Sequence, residues 1–166
     1  MKILGFDLGD GESAVTLLDE DSTVEPRVLP LCGRNSLLSA VGVKNGRIVI
    51  GEEASVTDGA AEAKVRFKSR YLTDPSASAD VRAFAQGVMN ELTRMQPALM
   101  AEVSRTVVGC PAGWGDGRRE QYAALLESAG FPNVSVVPEP RAAFLYARHA
   151  RGLRVSPELM KKSAMV

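Results

Sequence analysis

The sequence predicts an α/β protein in which a mixed β-sheet, with the first strand at its centre, is flanked by helices. The chain opens with an almost unbroken apolar run over residues 3–8, which is typical of a central strand covered on both faces. Asp10-Gly11 and Asn45-Gly46 are hairpin signals that make the first third β-rich. From Asp80 onward, helical periodicity alternates with short apolar strands, an order typical of this fold class.

The first part of the chain is predicted to contain two hairpins and little helix. Asp10-Gly11 turns the first strand back on itself, and Asn45-Gly46 closes the second hairpin. Pro26 and Pro30 keep the intervening strand at an edge. The predicted strands are residues 14–18, 25–31, 37–43 and 47–50, followed by a short helix over residues 52–63 and a solvated strand or turn over residues 65–72.

A long amphipathic helix is predicted from Asp80, with Ser78 as its N-cap and Pro97 at its end. Its apolar side chains recur at steps of three and four residues, so they form one stripe facing the core. The stripe consists of Val81, Phe84, Ala85, Val88, Leu92 and Met95.

The last part alternates strand and helix. Strands are predicted over residues 105–110 and 134–137, with a flexible glycine-rich turn over residues 111–117. Asp116 is predicted to cap a helix over residues 117–129, and Glu139-Pro140 opens the final helix. The inward side chains of these two helices are predicted to be Tyr122, Leu125 and Leu126 in the first, and Ala142, Leu145 and Tyr146 in the second.

Length and charge bound the function classes. The chain has 166 residues, enough for one domain with a sizeable core. Lysine plus arginine and aspartate plus glutamate both number 20, so the formal net charge is zero and no basic field indicates a nucleic-acid partner. Cys32 and Cys110 are too few for a disulfide framework or a zinc site, which favours two reduced thiols. Without a membrane-spanning run or signal peptide, we expect a cytoplasmic protein that does not engage a membrane.

Two acidic residues follow strand ends. Asp7 lies near the end of the first strand, and Glu139 follows the last strand. Because ligands of open α/β sheets bind outside the carboxyl ends of strands, we expect both side chains to face one cleft. A buried carboxylate needs a partner, and hydrated Mg²⁺ with phosphates held by N–H groups of the adjacent turn would supply one. The alternative is an ordinary hairpin whose Asp7 caps the turn.

Two segments carry a resemblance to a known family: GFDLGDGES over residues 5–13, and the longer run VVGCPAGWGDGRREQYAALLESAGFPNVSVVPEPRAAFLYA over residues 107–147. A short GEEA motif lies between them at residues 51–54. The chain resembles the N-terminal lobe of the actin, hexokinase and DnaK-type chaperone ATPase superfamily, and looks most like the DnaK-type heat-shock chaperones.

The resemblance implies a ribonuclease-H-like, mixed five-stranded sheet with a small inserted hairpin and helix over roughly residues 36–75. Residues 1–152 would form the N-terminal lobe, and residues 153–166 would form a linker towards a second lobe absent from this chain. The implied cofactors are ATP or ADP and Mg²⁺, bound in a cleft between two lobes. A substrate-binding domain or a co-chaperone would be a further partner.

The resemblance also implies site roles. Asp7 and Glu139 would orient Mg²⁺ through its waters, and Lys68 would help to place the attacking water. Pro111 and Arg119 would couple the nucleotide state to a partner domain. The loop under the β- and γ-phosphates would consist of Gly9, Asp10, Gly11, Glu12 and Ser13.

The chain departs from the family at Asp10-Gly11, where the chaperones carry hydroxyl residues, and at Arg141, which replaces a small hydroxyl residue. The Asp10 carboxylate would repel a polyphosphate unless Mg²⁺ or Lys68 offsets its charge, or it would point away as a turn former. For the longer protein we expect an ATPase, and for this chain alone weak or no hydrolysis. The alternatives are a bacterial actin-like filament protein and a non-hydrolysing scaffold of the same fold.

Overall fold

A computed structural model of the chain describes residues 1–20, 25–56, 63–71, 73–74 and 76–150. The strands are β1 (Lys2–Leu8), β2 (Glu12–Asp19), β3 (Arg27–Leu29), β4 (Leu37–Leu38), β5 (Ala40–Lys44), β6 (Arg47–Ile50), β7 (Lys64–Val65), β8 (Val103–Cys110) and β9 (Val134–Pro138). The helices are α1 (Glu52–Ser55), α2 (Phe67–Tyr71), α3 (Ala77–Met95), α4 (Pro97–Ala101), α5 (Asp116–Ser128) and α6 (Glu139–Ala150).

The main sheet is mixed and has β1 at its centre, as predicted. Its order is β3-β2-β1-β8-β9, and the two-residue strand β4 also pairs with β2, so the described part of this sheet has six strands. The pairs β1–β2 and β2–β3 are antiparallel, whereas β8 runs parallel to β1 and to β9. The carboxyl ends of β1, β8 and β9 therefore meet at one edge, where β1 ends at Leu8 and β9 at Pro138.

The two faces of β1 are covered unequally, so the expectation of a doubly covered strand is wrong for the described residues. Leu4, Phe6 and Leu8 are fully buried in the main core, which also includes apolar side chains of α3 and α5. Phe6 stacks on Phe131 with ring centroids 4.9 Å apart. On the opposite face Asp7 is exposed. The alternation of side chains in a strand places the polar group on this less covered face.

A second, three-stranded sheet has the order β6-β5-β7. Asn45 and Gly46 both have positive φ (51° and 75°) and lie between the paired residues Lys44 and Arg47, which is the two-residue hairpin that the sequence predicts. The prediction of one strand over residues 37–43 is wrong, because the segment divides at Ser39 between the two sheets.

The sheets are joined through close packing on α3. Gly87 in α3 lies against Ile50 of β6, so close that a Cβ atom on Gly87 would lie 2.4 Å from the Ile50 Cγ2 atom. Any side chain at position 87 would push β6 away from the helix, and a glycine is therefore required for this contact.

Several helix boundaries differ from the sequence predictions. The helix predicted over residues 52–63 ends at Ser55, with residues 57–62 outside the described part. In the segment 65–72, predicted as a solvated strand or turn, Val65 ends the short strand β7 and residues 67–71 form α2. The long helix begins at Ala77, so Ser78 lies inside it and is not its N-cap. It ends at Met95, and Pro97 opens the separate helix α4.

The start of α5 also differs from the prediction. Asp116 is the first residue of α5, and Gly115 takes the N-cap position without a side-chain cap. None of the three glycines in residues 111–117 has a positive φ. Some side chains predicted to face the core are exposed. In α3, Met95 is 52% exposed. In α6, Leu145 and Tyr146 are 49% and 74% exposed, so the predicted apolar side of α6 is not buried against the described chain.

None of the helices in the described residues has both the length and the apolar character needed to cross a lipid bilayer.

Candidate functional site

The loop between β1 and β2 is more open than a two-residue hairpin turn. Leu8 pairs with Ser13, which leaves four connecting residues, and neither Gly9 nor Gly11 has a positive φ. Gly9 approaches Glu12 so closely that a Cβ on Gly9 would lie 2.4 Å from the Glu12 carbonyl oxygen. The backbone N–H groups of Gly9, Asp10 and Gly11 have no acceptor among the described residues. The loop therefore offers unpaired donors of the kind that bind anions.

The acidic side chains of this loop are directed to other segments. Asp10 Oδ1 accepts a hydrogen bond of 2.9 Å from the backbone N–H of Ser69 in α2. Glu12 Oε2 accepts a 2.8 Å hydrogen bond from the Ser36 hydroxyl. Both carboxylates thus have donors outside the loop. Of the alternatives for Asp10, this geometry corresponds to a side chain turned away from its own loop.

Ser13 contributes to the core and not to the open face. It pairs with Leu8, and its hydroxyl is buried at 2.8 Å from that of Ser39. Asp7 immediately precedes Leu8 in β1 and pairs with Ala14. Because side chains alternate along a strand, the Asp7 side chain lies on the face of the sheet opposite to that of Leu8 and Ser13. The Ser13 hydroxyl is already paired on the core side, which leaves the backbone as the part of Ser13 near the loop.

Asp7 and Glu139 line the same cavity, which has a volume of about 640 Å³ and lies between α6 and the face of the sheet opposite the main core. β1 positions Asp7, and the junction between β9 and α6 positions Glu139. Gly109 of β8 lies between the two strands and also lines the cavity. Apolar residues of α6, including Ala142 and Tyr146, form another part of the wall. The two acids predicted to meet are therefore brought to one concave surface.

A buried lysine completes this cluster of charges. Lys68 is only 6% exposed, and its Nζ atom lies 2.6 Å from Glu139 Oε1 and 3.4 Å from the Gly109 carbonyl oxygen. A Cβ on Gly109 would lie 2.9 Å from Glu139 Cγ. The absence of a side chain at position 109 thus lets the Glu139 side chain lie along β8 towards Lys68. Gly109 is a site residue that sequence reasoning missed; its only signal was a glycine inside an otherwise apolar strand.

Pro111 and Arg119 lie close to this cluster but do not line the Asp7–Glu139 cavity. Pro111 directly follows β8. Arg119, on α5, forms a 3.0 Å ion pair with Asp116, and its Nε atom is buried without a partner among the described residues. Burial raises the pKa of the Cys110 thiol, and the nearby positive charge of Arg119 opposes that rise. Arg119 is therefore near the end of β8, outside the cavity that the two acids line.

Beside the ionic cluster lies an aromatic cluster of which the sequence predicted only Tyr122 as an inward-facing side chain. Tyr122 and Trp114 make an edge-to-face contact at 5.0 Å, and Tyr71 lies 5.7 Å from each. The Tyr122 hydroxyl and the Trp114 indole N–H are buried without partners in the described chain. Burial raises the pKa of Tyr122, and nearby acidic groups, including Tyr71, Glu139, Cys110 and Asp7, add to the rise.

The donor set suits a hydrated cation better than a fully protein-bound one. The described residues contain no group of three or more histidine, cysteine, aspartate or glutamate side chains that could hold a metal directly. Asp7 and Glu139 supply carboxylate oxygens from two sides of one cavity. Mg²⁺ keeps several of its waters in protein sites and is held by one or two carboxylates, so these residues fit a magnesium ion bound with phosphate.

Comparison with known proteins finds distant similarity to DnaK chaperones. No family model matches the chain. Over 154 residues it is 28% identical to the chaperone protein DnaK of Thermosipho melanesiensis and 29% identical to the chaperone protein DnaK of Thermosipho africanus. Each alignment covers 86% of this chain but 25% of the relative, so the chain spans about a quarter of the length of these relatives. The chain is therefore a mixed-sheet α/β protein that is distantly similar to a segment of DnaK chaperones.

Proposed function

We propose that this chain is the phosphate- and magnesium-binding part of a DnaK-like ATPase domain, with ATP or ADP as its ligand. In this proposal its main sheet corresponds to the ribonuclease-H-like sheet of that superfamily. The site consists of the β1–β2 loop, Asp7, Glu139 and Lys68. The distant similarity to DnaK supports the proposal. The shared cavity of Asp7 and Glu139, the contact of Lys68 with Glu139 and the contact of Asp10 with Ser69 support it independently.

The observation that carries the proposal is the contact between Lys68 and Glu139, because Glu139 also lines the cavity that Asp7 lines. A lysine this buried is rare unless it is paired, and the partner of Lys68 is an acid that also faces the cavity. Catalysis of phosphoryl transfer depends mainly on positioning and charge neutralisation, which require a cation near the phosphates and carboxylates that hold a metal. Two carboxylates and one ammonium group from three separate elements meet these requirements.

The β1–β2 loop adds backbone donors to these charges. Successive N–H groups without internal acceptors form a concave site for anions, and residues 9–11 present such groups beside Asp7. The Asp10 carboxylate is bonded to Ser69 instead of projecting over its own loop. Its repulsion of a phosphate is thereby reduced, which favours a nucleotide-binding site over a scaffold in which Asp10 disables binding.

Bound Mg²⁺ would neutralise phosphate charge and position an attacking water. The residues of this chain would act around it: Asp7 and Glu139 would accept hydrogen bonds from its waters, and Lys68, beside Glu139, would donate hydrogen bonds to the phosphate or the attacking water. Pro111 and Arg119, at the end of β8 and on α5, would pass the state of the site to a neighbouring domain. A second ATPase lobe, a substrate-binding domain and a co-chaperone are the proposed partners.

Isothermal titration of the full chain with Mg-ADP and Mg-ATP tests the proposal. We expect saturable binding that is lost when EDTA removes magnesium. Asp7→Asn should weaken it by about tenfold or more, because hydrogen bonds to a charged group contribute ~1.5–3 kcal/mol. Glu25→Gln is the matched control, since Glu25 is an exposed acid that does not line the cavity. Equal affinity of the wild type and Asp7→Asn, or no saturable binding by the wild type, would overturn the proposal.

A further inference from the structure

We propose that Asp10 is a positioning residue for Lys68, which couples the β1–β2 loop to the buried lysine. The inference rests on the proposed function, because it assigns a role within the same phosphate site. It begins with one contact: Asp10 Oδ1 lies 2.9 Å from the backbone nitrogen of Ser69, which is 59 positions away and adjacent to Lys68. No other described residue of the hairpin loop makes a hydrogen bond to α2.

The contact supplies a hydrogen-bond acceptor for the Ser69 N–H group, which has none within α2. Ser69 lies in the first turn of this helix, where backbone N–H groups have no acceptor within the helix. The residue before α2, Arg66, has a positive φ of 52°, a conformation that non-glycine residues keep only when their surroundings enforce it. A carboxylate accepting the Ser69 N–H gives a charge-assisted bond across this turn.

α2 has only five residues, too few to be stable alone, so tertiary contacts determine its position. Phe67 packs on Phe84 at a centroid distance of 5.1 Å, and Tyr71 packs on Trp114 at 5.7 Å. These aromatic contacts fix the core side of the helix. The Asp10 bond fixes its outer side, and it does so from the loop that we assign to phosphate binding.

The position of the α2 backbone decides where the Lys68 ammonium lies. A long lysine side chain has many rotamers, and holding it in one position costs conformational entropy. The ammonium is nevertheless held 2.6 Å from Glu139 Oε1, with Lys68 almost fully buried. A shift of the helix at Ser69 would move the adjacent Cα of Lys68 and displace the ammonium from Glu139 and Gly109. The Asp10 side chain would therefore act on the site through Lys68, and not by contacting the nucleotide.

The test is made on the full chain without nucleotide, by NMR with labelled lysine. Two quantities are measured: the hydrogen-exchange rate of the Ser69 amide and the side-chain Nζ signal of Lys68. Asp10→Ala removes the acceptor, and Asp10→Asn keeps an acceptor oxygen without the charge. Ser36→Ala is the matched control, because it removes another exposed hydrogen bond of the same hairpin, to Glu12, which does not reach α2.

We expect Asp10→Ala to accelerate exchange at Ser69 by about five- to tenfold, in line with the loss of a capping contact, and to shift the Lys68 signal. Asp10→Asn should restore most of both values, and Ser36→Ala should change neither. Faster exchange at Ser69 with an unmoved Lys68 signal would overturn the positioning role, since it would leave Asp10 as a local cap. An equal shift in Ser36→Ala would overturn it as well.

The same variants are then titrated with Mg-ADP. If the wild type binds no nucleotide while the Lys68 signal still follows the Asp10 substitutions, the proposed function fails and the coupling between Asp10 and Lys68 stands. If nucleotide binds and Asp10→Ala leaves both the Lys68 signal and the affinity unchanged, the coupling fails and the proposed function stands.

Discussion

The ammonium of Lys68 lies 2.6 Å from the carboxylate of Glu139, a residue 71 positions further along the chain. The two side chains differ in environment, with 8% of the Lys68 side chain exposed and 46% of the Glu139 side chain exposed. The pair therefore consists of a largely desolvated ammonium group and a carboxylate that remains partly exposed to solvent. Such a contact holds α2 against the junction of β9 and α6, and leaves Glu139 accessible from the cavity.

A double-mutant cycle measures how strongly this pair contributes to the free energy of unfolding. We expect Lys68→Met and Glu139→Gln to show a coupling energy of about 1 kcal/mol by urea denaturation, since one partner is buried and the other is half exposed. The Arg34–Glu52 pair, at 3.1 Å with side chains 64% and 46% exposed, is the control and should couple by less than about 0.5 kcal/mol. Equal coupling in the two cycles would contradict a special role for burial of Lys68.

Gly109→Ala tests the close approach of β8 to Glu139. Its Cβ would lie 2.9 Å from Glu139 Cγ, so Glu139 must move and its contact with Lys68 must weaken. We expect a loss of about 1–2 kcal/mol in the free energy of unfolding together with weaker Mg-ADP binding. Gly113→Ala is the control, because a Cβ on Gly113 would meet no described atom within 4 Å and its φ is not positive; its stability should change by less than about 0.5 kcal/mol.

The buried hydroxyl of Tyr122 gives a prediction about alkaline pH. Burial raises the pKa of Tyr122 in the folded protein, so the folded state retains a proton that the unfolded state releases above about pH 10. The resulting stabilisation is complete below that pH and is lost progressively as the pH rises further. We expect the midpoint of alkaline unfolding, followed by tyrosinate absorbance and circular dichroism, to move upward in Tyr122→Phe.

At neutral pH the same substitution should be almost neutral or mildly stabilising, by about 0–1 kcal/mol, because the hydroxyl it removes has no described partner. A loss of more than about 2 kcal/mol in urea denaturation at neutral pH would show that the hydroxyl has a partner in solution.

Substitutions of Ser13 and Ser39, whose buried hydroxyl groups pair with each other, should have non-additive effects on the free energy of unfolding. Replacing either serine by alanine leaves the other hydroxyl buried without its partner, so each single variant should lose about 1–2 kcal/mol of unfolding free energy. The double variant should lose less than the sum of the two single losses, because it leaves no unpaired group. Strict additivity in urea denaturation would contradict the hydrogen bond between them.

The central strand and the meeting of Asp7 with Glu139 could be predicted because they follow from general rules. Parallel strands end at one edge of a sheet, so acids close to the strand ends lie near that edge. Asp7 is the next-to-last residue of β1, and Glu139 directly follows β9. The division at Ser39 could not be predicted, since residues 37–43 are mostly apolar and one serine within such a segment does not by itself indicate a break between two sheets. Its cause is tertiary: the Ser39 N–H donates to the Gly11 carbonyl oxygen at 2.8 Å.

The direction of the Asp10 side chain was also beyond sequence reasoning. An aspartate in a turn can bond to its own backbone or to a distant N–H group, and only the fold brings Ser69 within reach. The exposure of the apolar side of α6 could not be predicted either. The spacing of Ala142, Leu145 and Tyr146 indicates an apolar face, but it does not indicate whether that face packs on the rest of the chain.

Paramagnetic NMR with Mn-ADP in place of Mg-ADP tests the central claim most directly, because Mn²⁺ broadens the signals of nuclei close to the metal. We predict that the amide signals of Asp7, Gly9 and Glu139 broaden on addition of Mn-ADP, that those of Asn45 and Gly46 in the second sheet do not, and that excess Mg-ADP reverses the broadening. Broadening that is confined to other parts of the chain, or no broadening at Asp7 and Glu139 in the presence of bound nucleotide, would contradict the account.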